Sequence, residues 1–207
     1  MSFGYLGDTS TKIKQQVKNN GVISVSEAYE LEKVGQLSGS LELIQSQTVT
    51  SSTAAIDFTS IKGDVYDTHF MTIVGFETAG GGTDLTTIRY STDGGSSFVE
   101  SGYMNAYHNG YANGTFAENR STSESGIRVS FNTGTNQGNG YVYLYNLNNS
   151  SLHSLNTFHA ITDNANMAYG GGLYPAANTV NAIRVMCPTN MDNAIVNLYG
   201  VKTQWVL

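Results

Sequence analysis

From Leu41 onward, hydrophobic and polar residues alternate with a period of two along most of this chain. Successive side chains of a strand point to opposite faces, so alternation bounded by Gly, Asn, Asp and Ser clusters predicts half-buried strands. The segments are Leu41–Val49, Ala54–Ile61, Val65–Phe76, Leu85–Ser91, Phe98–Tyr107, Ile127–Phe131, Tyr141–Leu147, Leu152–Ile161, Val180–Met186 and Ala194–Leu207. In the first, Leu41, Leu43, Gln45, Gln47 and Val49 share one parity and hence one expected face. About ten strands with no intervening helical pattern point to a mainly β fold, an antiparallel jelly-roll-like β-sandwich. Pro175 and Pro188 are expected at strand ends, where a missing N–H breaks no ladder. The runs Gly80–Gly82 and Gly170–Gly172 read as flexible turns. The last segment, ending at Trp205 and Leu207, is expected to be tied into the sheet as a central strand.

Before residue 40 the period differs. Residues 9–18 are polar with Ile13 and Val17 at i, i+4, a weak amphipathic helix or an extended arm. Asn19-Asn20-Gly21 is a turn signal. Ser24 and Glu27 then have capping-box spacing, Ala28, Leu31 and Val34 form a stripe at helical spacing, and Gly35 closes it. The expected organisation is an N-terminal docking arm with one short helix over 1–40 and a β-sandwich over 41–207. Lys12, Lys14 and Lys18 are the one basic cluster, read either as a solvated face or as an arm docking on an acidic partner surface. The Leu31 stripe packs on the β domain or on a neighbouring subunit.

Charge changes the picture more than length does. Only 13% of the residues are charged, against about a quarter in ordinary soluble domains. From Ser130 to Leu207 the formal charges are Asp163, Arg184, Asp192 and Lys202. A surface of Tyr, Ser, Gly and Asn repels neighbours poorly and makes contacts at low entropic cost, as in a paratope or an assembly component. The net charge of −6 comes with no basic stripe, which argues against nucleic acid as a partner. No apolar run reaches the 18 or so residues of a membrane-spanning helix, and MSFGYLGDTS lacks the pattern of a secretory signal. The single cysteine, Cys187, sits in the apolar-rich AIRVMC and is expected to be a buried, inert thiol in a reducing compartment.

Catalytic signatures are missing. His153 and His159 would lie about 20 Å apart along a strand, too far for metal ligation. Asp67 and His69 share a face and read as a structural pair. No nucleophile elbow, phosphate loop or dinucleotide fingerprint occurs. No catalytic, cofactor-binding or metal-ligating residue is therefore expected. Asp57, Asp64, Asp67, Glu77, Asp84 and Glu100 are the carboxylates that folding could pair for glycoside hydrolysis. Ser91-Thr92-Asp93-Gly94-Gly95-Ser96-Ser97-Phe98 resembles the Asp-box hairpin of sialidase-like propellers, but a propeller needs repeats that this chain lacks. Tyr141, Tyr143 and Tyr145 share one strand face. With Tyr107 they are candidates for a glycan-stacking platform or an intersubunit contact; the alternative is that they line the core.

Four segments carry a resemblance: MSFGYLGDTSTKIKQQVKNNGVISVSEAYELEKVGQLSGSLELI, IDFTSIKGDVYDTHFM, GYVYLYNL and AIVNLYGVKTQWVL. Together they resemble the small β-rich virion structural proteins of marine tailed bacteriophages. The resemblance implies a surface or fibre component of the virion, assembled in the host cytoplasm, with no catalytic residues. The expected function is a non-enzymatic capsid decoration protein that docks on the shell through its N-terminal segment. Its expected partners are other virion proteins (the major capsid or tail protein) and further copies of itself in a homotrimer. The alternative is a tail- or head-fibre receptor-binding protein whose lectin-like sandwich holds a host-surface glycan.

Overall fold

The computed structural model describes residues 26, 29, 40–79, 86–129 and 137–202. The chain divides into two compact units, Met1–Ser40 and Leu41–Leu207. In the first, Ser26 and Tyr29 are helical. Lys12, Lys14, Lys18, Leu31, Asp84, Gly80–Gly82 and Trp205 lie outside the described residues. The second unit is mainly β, with strands β1 (Leu41–Val49), β2 (Thr53–Phe58), β3 (Thr68–Thr78), β4 (Thr86–Ser91), β5 (Tyr103–Gly110), β6 (Phe116–Glu124), β7 (Ile127–Val129), β8 (Gly138–Tyr145), β9 (Ser154–Thr162), β10 (Met167–Tyr174) and β11 (Ala182–Val201).

These strands form one antiparallel sheet in the order β6-β5-β10-β9-β8-β3-β11-β4-β7, with β1 and β2 also paired to β11. The long β11 lets the sheet fold over on itself. Its Met191–Val201 half lies between β1 and β3, and its Ala182–Met186 half lies between β2 and β4. Residues 187–190 fall between those ladders. There Pro188 has no N–H to give and Asn190 takes φ 64°. A strand bends where such residues interrupt its pairing. Folding over brings β7 against β10, and Gly172 makes room for it: a Cβ there would stand 2.6 Å from Ile127 Cγ2. The result is a nearly closed, barrel-like sheet.

Several sequence expectations change. The described parts of the segments Val180–Met186 and Ala194–Leu207 belong to one strand, Ala182–Val201, and Pro188 marks its bend rather than an end. Gly170–Gly172 is the middle of β10, not a turn. In β1 a bulge at Ile44 breaks the parity. Leu41 and Leu43 face solvent, whereas Val49 beyond the bulge is buried. The strands β6 and β10 were not expected at all.

The inner face carries the core, including Phe58, Met71, Phe76, Ile88, Tyr103, Leu144 and Phe158. Each such side chain contributes roughly 1.5–3 kcal/mol by leaving water. Within the core Tyr103 Oη accepts from the Tyr90 amide at 2.8 Å. At one end, Glu42, Gly200 and His69 stand opposite one another on β1, β11 and β3. The ring of Tyr66 lies on Gly200, edge-on to His69 at 6.2 Å. Its hydroxyl hydrogen-bonds Glu42, which also receives Lys62 at 2.9 Å and Lys202 at 3.5 Å. The Tyr66 bond and the Lys62 ammonium hold the Glu42 carboxyl down at about 2. Burial, then the Glu42 carboxylate, pushes the Tyr66 phenol up to about 12. His69 is buried, Nε2 pairs with the Ile61 carbonyl at 2.7 Å, and desolvation lowers its pKa. Asp67 is exposed.

Candidate functional site

Antiparallel register lines up the outward side chains of neighbouring strands in rows. On the outer face of β8, β9, β10, β5 and β6 four rows can be followed. The first runs Tyr141, His159, Tyr169, His108 and ends at Glu118. Its ring centroids are 5.5, 5.8 and 5.5 Å apart, and the last pair is stacked within 18°. The second row is Tyr143, Thr157, Gly171, Ala106 and Arg120. The third is Tyr145, Leu155, Leu173 and Met104. On the far side of the aromatic row, Ile161, Met167 and Phe116 form an apolar row, the last two meeting over Gly110.

The tyrosine rows continue into β3 and β11. Phe70 stands 5.8 Å from Tyr141, 4.8 Å from Tyr143 and 6.2 Å from Tyr199. Tyr143 stacks on Tyr145 at 6.2 Å and 14°. The structure thus brings Tyr141, Tyr143 and Tyr145 together on the outer face. Tyr107 is not with them. It points inward from β5, is only 6% exposed and packs against Phe158 at 6.2 Å, so it belongs to the core. His108, His159 and Tyr169 complete the aromatic row, a juxtaposition across strands that the sequence reading, which weighed His159 as a metal ligand, did not reach. The alternation Leu155, Thr157, His159, Ile161 in β9 was the available signal.

This face is unusually apolar for one turned to solvent. Phe116 is 73% exposed, Ile161 55% and Leu43 53%. From β1 to β6 the aromatic and apolar side chains continue across neighbouring strands, interspersed with Thr157, Gly171 and Ala106. A monomer rarely leaves a contiguous apolar patch beyond a few hundred Å² in water. In the four rows the formal charges are Glu118 and Arg120, both on β6.

A groove of about 700 Å³ crosses the same face. Gly171, Ala106 and Thr157 form its floor, because their side chains are small or absent. Tyr145, Leu155, Leu173 and Met104 wall it, and Arg120 and Thr122 stand at the β6 end. Tyr145 Oη and Thr157 Oγ1 share a hydrogen bond of 3.3 Å.

Three of the candidate carboxylates have structural employment. Asp57 takes both arms of the Arg184 guanidinium, at 2.7 and 2.8 Å. Glu100 pairs with Arg89 at 2.6 Å. Glu77 accepts from Gln137. Among the described residues, no three or more His, Cys, Asp or Glu are grouped to hold a metal ion. No described helix is long and apolar enough to cross a membrane. In the Asp93 turn, Oδ1 accepts from the Ser97 amide at 2.9 Å and Oδ2 from the Ser97 hydroxyl at 2.6 Å. These bonds and that of Ser91 hold the Asp93 carboxyl at about 2. Phe98, at the end of the turn, carries the Arg184 guanidinium 4.0 Å above its ring. The hairpin is an anchor between β4 and β5. No known family model matches this chain, and neither does any curated protein.

Proposed function

We propose that this chain is a non-enzymatic structural protein of a bacteriophage virion surface, a capsid decoration protein whose copies associate through the aromatic outer face. The observation that carries this reading is the charge-poor face built from Phe70, Tyr141, Tyr143, Tyr199 and the exposed apolar residues around them. A contiguous exposed apolar surface of this kind marks an interaction site. Flat aromatic side chains gain contact area there at little entropic cost. On this reading the β domain is a jelly-roll-like sandwich assembled as a homotrimer. Residues 1–40, with Lys12, Lys14, Lys18 and Leu31, dock on the shell inside the host cytoplasm. The test is the copy number of the chain relative to the major shell protein in purified particles, by quantitative mass spectrometry. A ratio on the order of one, with re-addition to stripped particles, is the expected result; absence from particles refutes the reading.

The groove favours a second reading, a tail- or head-fibre protein that holds a host-surface glycan. A few copies per particle would point to it.

A further inference from the structure

Arg120 is set apart by its electrostatics. Among the described residues, Lys62, Arg89, Arg128, Arg184 and Lys202 each form an ion pair with a carboxylate. Arg120 forms none. It stands at the end of the groove, in the same row as Ala106, Gly171 and Thr157. Glu118 shares its face two residues away without pairing with it. From this juxtaposition we infer that the groove is a binding site for an acidic saccharide, its carboxylate or sulfate held by the Arg120 guanidinium.

The chemistry of the groove selects the ligand class. Its long wall is apolar and ends in the ring of Tyr145, which suits the C–H face of a pyranose. Tyr145 and Thr157, whose hydroxyls share one hydrogen bond, and Thr122 line it and offer groups that ring hydroxyls can pair with. The guanidinium fork matches a carboxylate or sulfate with two parallel hydrogen bonds. An acidic peptide fits less well. The groove runs across the strands, and the backbone groups of its floor are already paired in the ladders, so a peptide main chain finds no partners. The inference goes beyond the assembly reading: the groove lies on the β10-β5-β6 part of the outer face, so copies that associate through Phe70, Tyr141, Tyr143 and Tyr199 must leave that part open.

Isothermal titration of the full chain with oligogalacturonate, a sulfated galactan oligomer, a neutral maltooligosaccharide and a glutamate peptide tests it. One acidic saccharide is expected to bind, more weakly as salt rises, and the neutral one at least about tenfold more weakly. Preference for oligogalacturonate or for the sulfated oligomer identifies the anion. Arg120→Ala should weaken binding about ten- to hundredfold, with Arg120→Lys in between. Ala106→Tyr, which fills the floor of the groove from an exposed strand position, should abolish it. Sedimentation of each variant checks that assembly is unchanged. Equal binding of the neutral sugar or the peptide, no binding of either acidic saccharide, or an indifferent Arg120→Ala would overturn the inference. None of those results bears on copy number in particles.

Discussion

Replacing Gly200 by alanine should destabilise the β domain by an amount that the neighbouring ring dictates. The three atoms nearest to an added Cβ all belong to the ring of Tyr66, well inside contact distance. Ordinary carbon contacts lie at about 3.5–4.0 Å, so the ring must retreat by about an ångström or more. It is poorly placed to do so. It is 4% exposed, leans edge-on against His69, and is tied by its hydroxyl to Glu42. Overpacking costs about 1–3 kcal/mol. Losing the bond to the partly exposed Glu42 carboxylate adds about 1 kcal/mol. The expected sum is about 2–4 kcal/mol, or roughly 5–15 °C in Tm for a chain of this size. Urea and thermal denaturation followed by circular dichroism measure it. A second background decides the cause. Gly200 has no left-handed φ, so in a Tyr66→Ala chain the same substitution no longer meets the ring that supplies its three nearest contacts. There it should stabilise by about 0.4–1 kcal/mol, by restricting the unfolded chain. The change of sign is a coupling that a double-mutant cycle reads directly. A Gly200→Ala protein within about 0.5 kcal/mol of the parent, or an equal cost in both backgrounds, would refute the reasoning.

Other outcomes follow from the same geometry. Asp93, held at about 2 against an ordinary 3.8, lends the hairpin support that is complete above pH 3.8 and lost as pH falls through about 2. Amide exchange at Ser97 should rise over that window, and Asp93→Asn should remove the dependence. Tyr66, raised to about 12 from 10.0, should cost stability as pH climbs between those values, and its ultraviolet titration should lag behind that of exposed tyrosines. Asp57→Ala removes both hydrogen bonds of a pair that is about one-third exposed. A loss of about 1–2 kcal/mol in urea denaturation is expected, and an unchanged midpoint would show the pair to be ornamental. Cys187, fully buried, should react with a thiol reagent only at the rate of unfolding; fast modification of the native protein would contradict its placement.

Which strands the sequence disclosed follows from what each strand buries. Those with one apolar face, such as Leu85–Ser91, which buries Ile88 and Tyr90 and turns Thr87 and Arg89 outward, showed themselves by their period. The strand β6, FAENRSTSE, is paired on one side only and buries little, so neither of its faces reads as apolar. In β10 the three glycines erase the alternation, although they serve close approach: Gly172 faces Ile127 of β7, and Gly171 forms the groove floor. Proline and the polar residues at the bend made one long strand look like two. The shared face of Tyr141, Tyr143 and Tyr145 was legible, but parity does not say which face is the core. Tyr107 was misplaced for the same reason. Their partners Phe70, His159, Tyr169 and Tyr199 come from other strands through register, which a single chain of letters does not display. Arg120 became notable only when every other described cation had found its carboxylate.

The placement of β11 also sets the timetable by which the protein is made. A ribosome delivers β1, β2, β3 and β4 long before the strand that joins all four. The contact between Ser46 and Asn197 closes a separation of 151 residues. Until β11 emerges, β1 and β2 have no strand to pair with, and β3 and β4 each offer an open edge to other nascent chains. Contacts of such sequence separation form slowly, because loop closure must precede the interactions that reward it. Yield during synthesis should therefore be governed by the lifetime of this open intermediate. Slower translation at low temperature, or a chaperone that shields strand edges, should raise it more than added stability in the finished sheet.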